Sequence, residues 1–170
     1  MTVKREYVTS IAGSVIFAHF YALCERWISW ENLPEWMKYL PTFRGINAYH
    51  YLFMFPLFLF IGGYPFLDDL LLHLTPRELK KTSILVLGNI MLTTLIEDAA
   101  YFYLYGEWIA EGYWTTQICG GVKIGGLVFP NWYFILMVAI SLCYYYVFKK
   151  TEKPKPREIK INSFLETVRQ

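Results

Sequence analysis

The chain has 170 residues, a formal net charge of +2 and 55% hydrophobic residues. Only 18% of its residues are charged, against about a quarter in an ordinary soluble domain, and 7 of its 16 Lys and Arg follow Phe148. That distribution excludes a disordered chain, a nucleic-acid binder with a broad basic face and a disulfide-stapled secreted miniprotein.

What remains is an integral membrane protein, with a membrane domain over residues 1–148 and a basic tail over 149–170. Four segments are predicted to cross a bilayer, which takes roughly 20 apolar residues at a rise of 1.5 Å. Tyr7–Cys24 contains no Asp, Glu, Lys or Arg, and neither does Ile46–Leu67. Thr82–Tyr105 is interrupted only by Glu97 and Asp98, and Ile124–Phe148 carries no charge at all. Backbone in lipid must satisfy its own hydrogen bonds, so the segments are expected as helices. Alternation of period two, the mark of a barrel, is absent. The expected fold class is therefore all-α: a polytopic four-helix transmembrane bundle.

Local signals add detail in chain order. Ser10, Ser14, Ala18 and Ala22 recur at i+4, and small residues at that spacing permit close helix approach. The first span lacks a small-x-small cleavage site and is read as an uncleaved signal anchor. Gly62-Gly63-Tyr64-Pro65 should kink or end the second helix early, leaving Phe66 to Leu74 along the inner surface. Thr75-Pro76-Arg77-Glu78 combines a capping box with Pro at the first helical position, so the third helix should start near Pro76. The Gly-rich stretch from Gly120 to Gly126 is expected as a mobile turn.

Lys and Arg placement sets the direction. Twelve fall on the side of the two termini and four on the other, which puts both termini in the cytoplasm of a multi-pass cell-membrane protein. Trp27, Trp30, Trp36, Trp108, Trp114 and Trp132 all fall on the outer side. Trp favours the headgroup level, so they form either an interfacial belt or an aromatic outer cap that contacts other subunits. Cys24 and Cys119 share that side and could form a disulfide if it is oxidising.

The chemistry lies at membrane depth, where ionisable side chains face a bundle interior or a water-filled cavity. Glu97 stands roughly 22 Å above Thr82 and His19 roughly 18 Å into the first span. His50 enters four residues into the second span, and Glu25 closes the first. His19, His50, Glu97 and Asp98 thus occupy one stratum, with Glu25 at its rim. On the third helix, Asn89, Thr93, Glu97, Tyr101 and Tyr105 recur at i+4 and form one polar ridge.

Three readings of the stratum stay open. Two imidazoles and two carboxylates suit a transition metal (zinc, iron or copper), although no local ligand motif is present. A carboxyl kept from water favours its neutral form, which suits an acid, a donor or a ligand-binding cavity. A structural hydrogen-bond network joining helices is the third. Asp68, Asp69 and His73 form a second polar group at the inner end, read as solvated interfacial charge.

The run Glu97-Asp98-Ala99-Ala100-Tyr101-Phe102 resembles the acid-acid-x-x-aromatic-aromatic motif of the membrane lycopene cyclase family. It departs from that pattern in having Thr94, Leu95 and Ile96 where a Pro usually precedes the acids, and in having no second copy. The resemblance implies acids that protonate a polyene and aromatic faces that shelter the cation. The overall plan also resembles small four-helix sterol-isomerase-like proteins, a likeness of architecture that does not give function.

Two functions are therefore expected. The first is a subunit or binding component of a membrane complex, in contact with the bilayer and with other subunits through its Trp-rich side. The alternative is a small intramembrane enzyme (an isomerase, cyclase or metal-dependent oxidoreductase) acting on a lipophilic substrate. In it Glu97 and Asp98 serve as acid and base, Tyr101, Asn89, Thr93 and Glu25 line the ligand, and His19 and His50 are partners or metal ligands.

Overall fold

A computed structural model of the protein describes residues 5–27, 34–40, 50–67 and 75–149. The elements are α1 (Arg5–Trp27), α2 (Glu35–Lys38), α3 (Phe55–Gly63), α4 (Pro76–Tyr103), α5 (Trp114–Cys119), β1 (Gly121–Ile124), β2 (Leu127–Pro130) and α6 (Asn131–Phe148). Most of this is helix, and α1, α4 and α6 are long and apolar enough to cross a membrane.

The second apolar segment differs from expectation. It is not one long helix: its uninterrupted apolar helical part runs only over Leu52–Gly63. A π-helical turn, His50–Met54, precedes α3, and a 3-10 turn, Tyr64–Phe66, follows it. Two prolines account for both changes. Pro56 has no N–H for the carbonyl of Leu52 and crowds it, so the chain widens into a π turn before it. Pro65 does the same one turn after Ile61, and the helix tightens after Gly63, as the Gly-Gly-Tyr-Pro run predicts.

The fourth segment is also shorter than predicted. Residues 121–130 form an antiparallel hairpin, with Val122 opposite Phe129 and Ile124 opposite Leu127, and the helix begins only at Asn131. Gly125 and Gly126 both have positive φ, +60° and +84°. That is the backbone of a two-residue hairpin turn whose twist matches the strands, and glycine adopts it without strain. The Gly-rich stretch thus contains a hairpin turn.

The third helix follows the sequence closely. The Thr75 amide donates to the Glu78 carboxylate at 3.1 Å, and the Glu78 amide donates to Thr75 Oγ1 at 3.3 Å. This reciprocal capping box satisfies two of the amides that a helix start leaves without partners.

α4 is the helix on which the others pack, touching α1, α3 and α6. Ser10, Ser14, Ala18 and Ala22 are all buried, as their spacing requires of a close helix seam. Asn89 meets Ser10 near one end of α1, and Tyr105 meets Leu23 near the other, so α1 and α4 run in the same direction. α3 runs opposite to α1: Tyr7 contacts Phe66, while Phe17 and Tyr21 contact Phe58. α6 runs opposite to α4, with Tyr133 at Asp98 and Tyr144 at Asn89. At Gly88 the α4 backbone comes so close to α6 that a Cβ would lie 2.9 Å from Tyr144 Cε1.

Beyond the end of α4, an apolar cluster joins Phe102, Ile109 and Tyr133, with Trp108, Tyr113, Phe129 and Trp132 against it. Trp108 Nε1 donates to the Val128 carbonyl at 2.8 Å and ties the loop to the hairpin. Trp36, by contrast, is exposed. Trp30, Asp68, Asp69, His73, the segment over 68–74 and the tail from 150 lie outside the described residues.

Candidate intramembrane acid site

α4 carries two polar layers on one face, two turns apart. The lower is centred on Asn89, which is fully buried. Its Nδ2 donates to Ser10 Oγ at 2.5 Å and to the Gly62 carbonyl at 3.3 Å. Its Oδ1 accepts from Tyr144 Oη at 2.9 Å, and Ser10 Oγ donates to the same Gly62 carbonyl at 3.1 Å. One amide thus reaches α1, α3 and α6 at once. Every group in this layer is neutral, and a donor faces an acceptor in each contact.

Thr93 stands one turn above. It is buried, but its hydroxyl donates to its own helix, to the Asn89 carbonyl at 2.8 Å. Ser14 stands one turn above Ser10 on α1. Its hydroxyl is buried with no hydrogen-bond partner among the described residues.

The upper layer gathers acids. Glu97 is 5% exposed, and its carboxyl is a hydrogen-bond neighbour of the Glu25 carboxyl from the end of α1. Asp98, next in sequence, accepts a 2.5 Å bond from Tyr133 Oη of α6. Two carboxyls set this close repel each other when both are ionised. Three acids from two helices, Glu25, Glu97 and Asp98, therefore meet near the end of α1.

Other expected site residues fall elsewhere. His19 Nδ1 donates to the Val15 carbonyl of its own helix at 2.8 Å, and its ring meets the edge of Tyr103. His50 is half-buried at the start of the π turn. Tyr101 is half-buried beside Phe102, in the aromatic cluster. Among the described residues no three His, Cys, Asp or Glu side chains are gathered in a way that would hold a metal ion, so the proposed ligand set of His19 and His50 with the acids is not assembled. A ring turned back onto its own backbone offers only its other nitrogen to a metal. All three cysteines are free thiols, with Cys119 exposed and Cys24 half-buried.

Sequence reasoning missed Tyr133 and Tyr144, the partners of Asp98 and Asn89. A signal existed. A buried carboxylate needs a donor, and α6 is the neighbour that carries tyrosines at both levels. No protein-family model, curated protein or solved structure matches this chain, and the six-residue likeness to the cyclase motif gains no support from them.

Proposed function

We propose that this is a four-span integral membrane protein whose Glu25–Glu97–Asp98–Tyr133 cluster is a proton-handling centre for a lipophilic molecule. The four-helix arrangement draws support from the parallel course of α1 and α4, which needs a return pass between them, and from α3 packing against both. Both termini are assigned to the cytoplasm on Lys and Arg placement. The aromatic cluster then caps the outer end, over the acids.

The observation that carries the reading is the company the acids keep. A purely structural network gains by pairing donors with acceptors, as the Asn89 layer does. Like charges gathered at low dielectric oppose assembly. Three acids gathered in one place suit a site that takes up and releases protons, in which Glu97 is the proton-carrying group and Tyr133 holds Asp98. A hydrophobic carbodiimide, which attacks protonated carboxyls from the lipid phase, tests this. Mass mapping should find adducts at Glu97 or Glu25 and none at Glu107, with the signal reduced in Glu97→Gln. Absence of adducts in the cluster, or equal labelling of Glu107, contradicts the proposal.

A second reading, a subunit of a membrane complex, is favoured by one feature. Ile118, Val122, Ile124 and Leu127 are all exposed at the hairpin end, forming an apolar surface where other subunits would dock. Purification in mild detergent should then recover a stable larger assembly that Ile124→Asp disperses.

A further inference from the structure

A groove of about 380 Å³ runs between α1 and the end of α3. Its walls are Ile16, Phe17 and Phe20 of α1 and Ile61 of α3, with Thr9 and Tyr64 toward one end. Its floor is open at Gly13, where an added Cβ would meet nothing within 4 Å. Arg5, Thr9, Gly13, Ile16 and Phe20 are spaced by three or four residues, so they lie along one face of α1. The face therefore begins with an exposed guanidinium and continues as an apolar trough. Tyr64, 63% exposed, stands at the same end, because Tyr7 of α1 is packed on Phe66 there. The Thr9 hydroxyl is turned to the Arg5 carbonyl at 3.0 Å and the Ser10 hydroxyl to the Gly62 carbonyl at 3.1 Å, so the lining is predominantly apolar.

We infer that this groove holds one anionic phospholipid, with its phosphate at Arg5 and an acyl chain along Gly13 to Phe20. The charge order of the face argues for that occupant. A cation at the headgroup level followed by roughly 16 Å of apolar helix matches a phosphate joined to a hydrocarbon chain. Guanidinium is also the side chain best shaped to bind phosphate oxygens in pairs. A partner helix fits less well. Ile16 and Phe20 are 70% and 62% exposed, and such bulky projections keep a second backbone from the Gly13 floor. The site is separate from the acid cluster and does not depend on its chemistry.

The test uses the full chain in nanodiscs of equal parts phosphatidylglycerol and phosphatidylcholine, released into the gas phase for native mass spectrometry. The expected result is one retained phospholipid per chain, with phosphatidylglycerol favoured about fivefold. Gly13→Leu, which fills the floor, should lose the retained lipid. Arg5→Gln should keep a lipid but bind the two headgroups equally. No retained lipid, equal retention of both lipids by the unaltered protein, or retention unchanged in both variants overturns the inference. A photoreactive side chain in place of Ile16 separates the alternatives further: it should cross-link to lipid, and a cross-link to a second polypeptide also overturns it.

Discussion

The two polar layers of α4 share a helix face and a buried setting, yet they are built in opposite ways. Around Asn89 each donor meets an acceptor, and one amide joins three other helices. Around Glu97 the partners named are other acids, Glu25 and Asp98, and a tyrosine donates to Asp98. In lipid, apolar side chains gain little by leaving acyl chains for one another, so close packing and hydrogen bonds decide which helices associate. The lower layer is what such a rule would select for stability. The upper layer is not, and its presence calls for a use.

The largest expected effect tests the lower layer. Asn89→Leu removes three side-chain bonds, each worth about 0.6 to 1.7 kcal/mol in a membrane, so unfolding in detergent should show a loss of about 2–3 kcal/mol. A loss under about 0.5 kcal/mol would remove the contrast between the layers. Next is Gly88→Ala, whose new Cβ would press on Tyr144. Overpacking of this kind costs about 1–2 kcal/mol, and the same unfolding assay should show it together with a weakened Tyr144–Asn89 contact.

Smaller effects test the upper layer. Tyr133→Phe deprives Asp98 of its donor and should cost about 1 kcal/mol. Glu97→Gln removes one acid from the cluster while keeping shape and hydrogen-bonding capacity, so it should leave stability unchanged or raise it by up to about 1 kcal/mol. Destabilisation as large as that of Asn89→Leu would make the acids structural and erase the distinction. The smallest effect lies outside both layers. Lys123 pairs with Glu111 on the exposed hairpin side, and Lys123→Ala should change stability by less than about 0.5 kcal/mol.

Much of this was legible in the sequence where one local rule dominated. Thr75, Pro76 and Glu78 set a helix start through contacts three residues apart. Ser10 to Ala22 marked a buried seam by periodicity alone, and the Asn89–Glu97 ridge announced itself as polar residues where lipid tolerates few. Length misled twice. Hydropathy sums over Ile46–Leu67 and Ile124–Phe148 are blind to backbone geometry, so they passed over Pro56 and the Gly125-Gly126 turn. The metal reading gained no support for a different reason. Equal depth in three helices says nothing of rotation about each axis, and the His19 ring is turned onto Val15. Tyr133 went unnoticed because its signal lay in the need of the Asp98 carboxylate for a donor and not in the tyrosine itself.

The proposed proton-carrying role of Glu97 is the point on which the account rests. Infrared spectroscopy of the protein in lipid at neutral pH reads it directly through the carbonyl stretch of a protonated, hydrogen-bonded carboxyl. The account predicts that this band is present, shifts in deuterium oxide, disappears in Glu97→Gln and persists in Glu107→Gln. A spectrum showing only ionised carboxylates, or a band indifferent to Glu97→Gln, would contradict it.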